Sequence, residues 1–174
     1  LHDSLEQQSY FTHIKMLNHV SRVSHARSCV ATLAGIWTPI RELLAQTTTA
    51  KAQGFDASRF SFNTNTGRCE TCKGLGSVQE RYIGLPTFET KCSSCNGLRF
   101  DVLTRKVRYR NLNITDILAL SIDEALNIFS ALPALFPTLS ALSQIGLGHL
   151  VLGQPSNTLS GGENRRLHIA RTLG

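Results

Sequence analysis

Two pairs of cysteines constrain this chain more than any other feature of its 174 residues. Cys69 and Cys72 form one C-x-x-C pair, Cys92 and Cys95 form a second, and residues 73–91 separate them. Each C-x-x-C turn directs two sulfurs at one point, and two such turns supply the tetrahedron of thiolates that zinc prefers. The spacing therefore predicts one Zn²⁺ ion, with a structural role because four thiolates leave no open position for water.

The segment between the cysteine pairs is suited to bringing them together. Residues 77–83 and 87–91 have strand-like composition, and the Gly-Leu-Pro turn at residues 84–86 separates them. This pattern predicts a strand, a turn and a second strand. Two redox C-x-x-C motifs are the alternative interpretation of the same cysteines. Three glycines follow the pairs closely, where backbone N–H groups turn toward metal-bound sulfurs: Gly74, Gly76 and Gly97.

Composition excludes some classes of protein and favours a polyanionic partner. Hydrophobic residues make up 41% of the chain, which is enough for a buried core. The net charge of +6 favours a partner such as nucleic acid. The sequence contains no apolar run of about 18 residues and no export signal, so we expect a cytoplasmic protein without a membrane contact, in which thiols stay reduced. The fifth cysteine, Cys29, is expected to be a plain small apolar residue.

Periodicity and capping signals predict the local structure. Thr38 as N-cap and Pro39 at the first helical position predict the start of a helix. The capping box from Ser121 to Glu124 predicts a helix that continues to Leu132. Residues 21–35 show little periodicity and are expected to be irregular. Further helices are predicted over residues 5–20, 49–53, 135–145 and 163–173, and strands over 59–62, 107–110 and 150–152.

These elements predict an α+β fold in which a small β-rich zinc module is inserted into a helical body. We expect an N-terminal helical and irregular segment over residues 1–63. The zinc module is expected over residues 64–102. A helical domain that ends in the last predicted helix is expected over residues 103–174.

The last predicted helix begins in an unusual way. Ser160 and Glu163 form a capping box, which by itself needs no glycine between them. Gly161 and Gly162 nevertheless occupy the first turn, where each costs about 1 kcal/mol relative to alanine. Paired glycines are understandable if a ligand approaches the backbone closely. Free N–H groups and the positive end of the helix dipole favour an anion there, and phosphate is the natural candidate.

Several motifs in order resemble one family. The string Leu159-Ser-Gly-Gly-Glu163 resembles the signature motif of ATP-binding cassette ATPases. The longer string over residues 145–163 is similar to the C-terminal cassette of the UvrA family, the damage-recognition proteins of the bacterial excinuclease. The resemblance runs from about Arg27 to the C-terminus, and it rests also on residues 38–43, 60–63, 67–76 and 92–97.

The resemblance implies a role in nucleotide excision repair. The signature motif would consist of Leu159, Ser160, Gly161, Gly162 and Glu163. Ser160, Gly161 and Gly162 would contact the γ-phosphate of ATP, held with Mg²⁺ by the Walker A loop of an opposing cassette, and Glu163 would start the helix behind them. The four cysteines would be the last zinc module of the family. The implied partners are damaged double-stranded DNA, UvrB and a second UvrA copy. Basic residues that would face DNA are Arg27, Arg41, Lys51, Arg59, Arg99, Lys106 and Arg108.

The sequence also departs from the family pattern. It contains neither a Walker A loop, G-x-x-x-x-G-K-[ST], nor a Walker B strand. We therefore expect the chain to complete an ATP site and not to hydrolyse ATP alone. Residues 23–30 differ from the Pro- and Asn-containing stretch of the family, because Cys29 and Val30 stand there.

Two other functions remain open from the sequence. The string Cys69-x-x-Cys-x-Gly-x-Gly76 is similar to the repeat of DnaJ-type chaperones, which carry four repeats and two zinc sites. A stand-alone nucleic-acid-binding zinc module is the third possibility. Two zinc ions per chain would favour the chaperone, and DNA binding without any dependence on ATP would favour the stand-alone module.

Overall fold

A computed structural model describes residues 26–81, 83–84 and 86–173, with no side chains described for residues 172–173. It confirms the predicted α+β class: short helices surround one core, and two small antiparallel sheets are attached to it. The helices are α1 (Val30–Leu33), α2 (Trp37–Ala45), α3 (Thr48–Ala52), α4 (Ile114–Ala119), α5 (Ile122–Ile128), α6 (Phe136–Leu142) and α7 (Gly161–Leu173). The strands are β1 (Ser77–Glu80), β2 (Phe88–Lys91), β3 (Arg108–Tyr109) and β4 (Leu112–Asn113).

Aromatic side chains join the cysteine region to the helices. Trp37 at the start of α2 stacks on Phe62 with ring centroids 4.8 Å apart, and Phe62 contacts Phe100 at 5.6 Å. Phe62 precedes the first cysteine pair and Phe100 follows the second, and both are almost fully buried. The division into residues 1–63, 64–102 and 103–174 stays a prediction.

The β1–β2 hairpin lies between the cysteine pairs, as predicted. The strands pair in antiparallel register, with Ser77 opposite Lys91 and Glu80 opposite Phe88. At the base of the module, Arg68 and Phe100 form an isolated antiparallel bridge. The hairpin therefore returns the chain to its starting point and places the second cysteine pair beside the first.

Several predicted boundaries are confirmed and others are wrong. The capping box of α5 is present, with the Ser121 N–H donating to Glu124 and the Glu124 N–H donating to the Ser121 hydroxyl. The helix ends at Ile128 and not at Leu132. The predicted helix over residues 135–145 ends at Leu142, where a π turn follows.

Two predictions before the first cysteine pair are wrong. Residues 59–62 do not form a strand, because the Asp56 carboxylate caps a 3-10 helix at Ala57–Phe60. Thr38 is not an N-cap, because the Ile36 carbonyl already accepts the N–H of Ile40 and α2 begins at Trp37.

The remaining differences concern short elements. The predicted irregular stretch contains α1. The strand predicted over residues 107–110 is present as the shorter β3. Its partner β4 and helix α4 were not predicted, although Asn113 and Asp116 form a capping box at the start of α4. The helix predicted over residues 5–20 lies outside the described residues. Among the helices that the structure describes, none is long and apolar enough to cross a membrane.

Candidate metal centre and phosphate-facing helix

The four cysteine side chains meet in one buried cluster. Cys69, Cys72, Cys92 and Cys95 are at most 6% exposed, and their sulfurs lie within 4.8 Å of one another. The Cys69–Cys92 sulfur distance is 3.9 Å and the Cys72–Cys95 distance is 3.7 Å. A zinc–sulfur bond of about 2.3 Å gives a tetrahedron whose edges are about 3.8 Å long. The donor set and its dimensions therefore fit a Zn²⁺ ion.

The two cysteine turns have the same local structure. In the first, the N–H of Leu75 donates to the carbonyl of Cys72 at 3.0 Å, and in the second Leu98 donates to Cys95 at the same distance. The N–H of Gly76 also donates to the Cys72 sulfur at 3.2 Å. Such N–H donors orient thiolates and reduce their charge, as metal-bound sulfur requires.

Hydrogen bonds tie the two turns to each other. The Cys92 N–H donates to the Gly76 carbonyl at 3.0 Å, and the Cys69 N–H donates to the Arg99 carbonyl at 2.8 Å. Each turn therefore anchors the first cysteine of the other. The cluster is a consequence of backbone pairing and does not depend on side-chain contacts alone.

Burial and local dipoles act on the thiols in opposite directions. The backbone N–H of Cys95 lowers the pKa of Cys92 to about 7. Burial raises the pKa of Cys95 to about 12 and also raises the pKa of Cys72. Burial therefore disfavours the thiolate forms of Cys72 and Cys95, and a bound cation would compensate their charge.

The capping box predicted for the last helix is present. The Ser160 N–H donates to a Glu163 carboxylate oxygen at 2.7 Å, and the Glu163 N–H donates to the Ser160 hydroxyl at 3.2 Å. These hydrogen bonds lower the pKa of Glu163. Ser160, Gly161 and Gly162 are exposed, while Leu159 is 8% exposed and anchors the turn in the core. The helix therefore presents its N-terminal backbone to solvent.

Internal packing does not explain one glycine of this turn. A Cβ atom at Gly162 would meet no atom within 4 Å, and the residue does not have the positive φ that favours glycine. The space above Gly162 is open to a ligand. This agrees with the prediction that the glycines permit close approach of an anion.

Sequence analysis missed one neighbour of the helix start. The His149 imidazole Nε2 lies 3.4 Å from a Glu163 carboxylate oxygen, and its side chain is 63% exposed. Further along α7, the Arg166 side chain donates to the Ile145 carbonyl at 3.2 Å. No local signal could have identified His149, because its partner Glu163 lies 14 residues further along the chain, beyond a 3-10 helix at Ser156–Thr158.

The predicted DNA-facing residues have different environments. Lys51 and Lys106 are exposed, and exposed Arg108 contacts the Asn111 carbonyl at 2.7 Å and Asp116 at 3.7 Å. Arg41 is partly buried and donates to the Thr38 hydroxyl at 3.1 Å. Lys51 and Lys106 are therefore simply exposed, whereas Arg41 and Arg108 also contact groups of their own fold.

Three of the predicted DNA-facing arginines form internal links. Arg59 forms a 2.6 Å ion pair with Asp101 and donates to the Thr104 hydroxyl at 2.9 Å. The side chains of Arg27 and Arg99 donate to carbonyl oxygens of distant segments, at 2.9 and 3.4 Å. These guanidinium groups therefore have roles within the fold, and contact with DNA stays a prediction for them.

Comparison with known proteins identifies similar chains. No protein-family model matches this chain. It is 42% identical over 147 residues to the UvrABC system protein A of Xylella fastidiosa, which covers 84% of this chain and 15% of the relative. The corresponding protein of Oceanobacillus iheyensis is 40% identical over 169 residues, or 92% of this chain and 18% of the relative.

A solved structure agrees with these relatives. The crystal structure of UvrA2 from Deinococcus radiodurans superposes with a TM-score of 0.80 at 44% sequence identity. The superposition covers 85% of this chain and 18% of the solved chain. The sequence therefore corresponds to less than a fifth of the length of these relatives. Both sequence and fold lead to one conclusion: the chain belongs to the UvrA family and matches one segment of its members.

Proposed function

We propose that this chain is the part of a UvrA-type ATPase that carries a structural zinc ion and supplies the signature motif of its C-terminal cassette. One observation carries the proposal: a four-cysteine cluster of zinc dimensions and an exposed Ser-Gly-Gly helix start occur together in one UvrA-like fold. The proposed process is nucleotide excision repair in the cytoplasm.

The metal has a structural role in this proposal. Cys69, Cys72, Cys92 and Cys95 hold Zn²⁺, which joins the two C-x-x-C turns and compensates their thiolate charge. The chain provides orientation through the N–H of Gly76 on the Cys72 sulfur. Because all four donors are thiolates, the residues fit a closed structural site better than a catalytic one.

The signature helix binds phosphate in this proposal. The exposed N–H groups of Gly161 and Gly162 and the Ser160 hydroxyl contact the γ-phosphate of MgATP held by an opposing Walker A loop. Glu163 stays in the capping box, where it holds the Ser160 backbone in place. The hydrogen bonds from Ser160 lower the pKa of Glu163, which shows that the capping box favours the ionised carboxylate.

Damaged double-stranded DNA is the proposed polyanionic partner, with UvrB and a second UvrA copy as protein partners. The exposed Lys51, Lys106 and Arg108 are the strongest candidates for contacts with DNA phosphates. Such contacts depend on salt and tolerate any sequence, which suits recognition of many lesions by DNA shape.

A chimera tests the function without requiring the segment to act alone. The chain replaces the corresponding segment of the Xylella fastidiosa relative, and ATP hydrolysis and binding to irradiated duplex DNA are measured. Ser160→Asp keeps an N-cap residue but adds a negative charge where phosphate is expected. Ser121→Asp makes the same change in the capping box of α5 and is the matched control.

We expect the chimera to hydrolyse ATP, Ser160→Asp to reduce hydrolysis at least tenfold, and Ser121→Asp to leave it nearly unchanged. Equal effects of the two substitutions would contradict the assignment of the helix start. DNA binding that ignores ATP would support the stand-alone nucleic-acid-binding module. Two zinc ions per molecule of the isolated 174-residue chain would support the chaperone-type alternative.

A further inference from the structure

Arg99 has a backbone conformation that its counterpart in the first cysteine turn achieves with glycine. In the first turn the residues with positive φ are Lys73, Gly74 and Gly76, and in the second they are Asn96, Gly97 and Arg99. The third position has φ +85° in Gly76 and +67° in Arg99. A non-glycine residue there costs roughly 1–2 kcal/mol. Something must compensate for an arginine at this position.

The backbone of Arg99 belongs to the immediate surroundings of the cysteine cluster. Its carbonyl accepts the N–H of Cys69 at 2.8 Å. Movement of the cysteines on metal loss would therefore move Arg99 directly.

The side chain of Arg99 leads away from the cluster to the segment that precedes the signature motif. Its guanidinium lies 5.5 Å from the ring centroid of Phe62 and donates to the carbonyl of Gly153 at 3.4 Å. We define residues 152–159 as the pre-signature segment, since they run directly into Ser160. Arg99 is thus a direct link from the cysteine cluster to this segment.

A second arginine makes a parallel link from the first cysteine turn. Arg27 donates to the carbonyl of Lys73 at 2.9 Å. The carbonyl of Ser28, which follows Arg27, accepts the N–H of Ser156 at 2.9 Å, so that this link also reaches the pre-signature segment. A cleft of about 570 Å³ lies between the first turn and this segment, and Arg27, Lys73 and Arg99 line it. The side chains of Arg27 and Arg99, which line the cleft, therefore connect its two sides.

We propose that Arg99 is a positioning residue that makes the order of the pre-signature segment depend on the metal in the cysteine cluster. This inference rests on the proposed zinc site. It gives the strained φ of Arg99 a function that glycine could not provide, because glycine has no side chain to reach Gly153. It also explains why an arginine that was predicted to face DNA is directed into the fold.

Hydrogen–deuterium exchange of the zinc-loaded chain tests this role. Arg99→Gly removes the hydrogen bond to the Gly153 carbonyl, but glycine adopts the positive φ of this position without strain. The cysteine turn should therefore still fold and bind Zn²⁺. Asn96→Gly is the matched control, because it also places glycine at a position of positive φ in the same turn, and the replaced side chain is exposed. The measured amides are those of Gly153 and Ser156, which donate to Leu118 and Ser28.

We expect Arg99→Gly to accelerate exchange of these amides by roughly threefold or more while zinc content stays at one per chain. Arg99→Lys should restore part of the protection, and Asn96→Gly should change nothing. Chelation of Zn²⁺ should accelerate the same amides in the wild type. In Arg99→Gly it should add little at Gly153, whose link is already broken, and more at Ser156, because the Arg27 link is intact in that variant.

The outcomes separate this inference from the proposed function. A folded chain that binds no Zn²⁺ overturns the proposed metal site and this inference with it. One zinc per chain with unchanged exchange in Arg99→Gly overturns the inference alone. Equal acceleration in Asn96→Gly and Arg99→Gly also overturns it, since the effect would then come from the turn backbone.

Discussion

At Gly162, stability and function should make opposite demands on the residue, and one substitution can measure both. The residue is the second in α7, its φ is not positive, and a Cβ atom there meets nothing within 4 Å. Gly162→Ala therefore introduces no clash. It reduces the backbone entropy that is lost when the helix folds, which should stabilise the chain by about 0.5–1 kcal/mol.

Thermal unfolding followed by circular dichroism measures this gain. For a chain of this length, 1 kcal/mol corresponds to a rise in Tm of about 2–4 °C. Gly54→Ala is the matched control, because its Cβ atom would also meet nothing within 4 Å but its φ is +66°. That substitution should lower the stability by about 1 kcal/mol. The two substitutions thus add the same methyl group and are expected to change the free energy of unfolding in opposite directions.

The functional half of the prediction uses the chimera described above. The methyl group of Gly162→Ala would occupy the open space in which phosphate is expected, so ATP hydrolysis should fall at least tenfold while Tm rises. A variant that gains stability and keeps full hydrolysis would refute the reasoning that the glycine admits a ligand. A variant that loses stability would refute the packing argument.

The remaining predictions concern the links that hold the site. Arg59→Ala and Asp101→Asn should each destabilise the chain, and a double-mutant cycle in urea should give a coupling of about 1 kcal/mol; a coupling of zero would mean that the pair is incidental. The pKa of Glu163 is lowered below 4.5 in the folded state, so its contribution is complete above pH 4.5 and is lost as pH falls through the folded value. The stability difference between wild type and Glu163→Gln should therefore shrink below pH 4.5, and a constant difference would contradict the capping box. Gly67→Ala would place its Cβ atom 2.1 Å from the Arg59 carbonyl oxygen and should prevent or severely weaken folding, as measured by near-ultraviolet circular dichroism.

The parts that the sequence predicted well depend on short-range signals. The hairpin follows from a Gly-Leu-Pro turn between strand-like residues, and the start of α5 follows from the spacing of Ser121 and Glu124. The approach of four cysteines follows from pairing of β1 with β2, which any hairpin between two C-x-x-C turns would produce. In each case the partners lie on adjacent segments of the chain.

The parts that could not be predicted depend on partners far away in sequence. The run at residues 59–62 alternates like a strand, but the Asp56 carboxylate caps a 3-10 helix over Ala57–Phe60, after which Ser61 is extended. Arg99 resembles any other basic residue until its partner, Gly153, is known. The start of α4 is different, since the Asn113–Asp116 capping box is visible in the sequence and could have been used.

Zinc content of the purified chain tests the central claim most directly. Elemental analysis is made on the wild type under reducing conditions and on Ser substitutions of Cys69, Cys72, Cys92 and Cys95, with Cys29→Ser as the control for loss of a buried thiol outside the cluster. The account predicts one zinc per chain in the wild type and in Cys29→Ser, and a large loss in each of the four cluster variants. A folded, reduced wild type without zinc, or a cluster variant that keeps full occupancy, would contradict it.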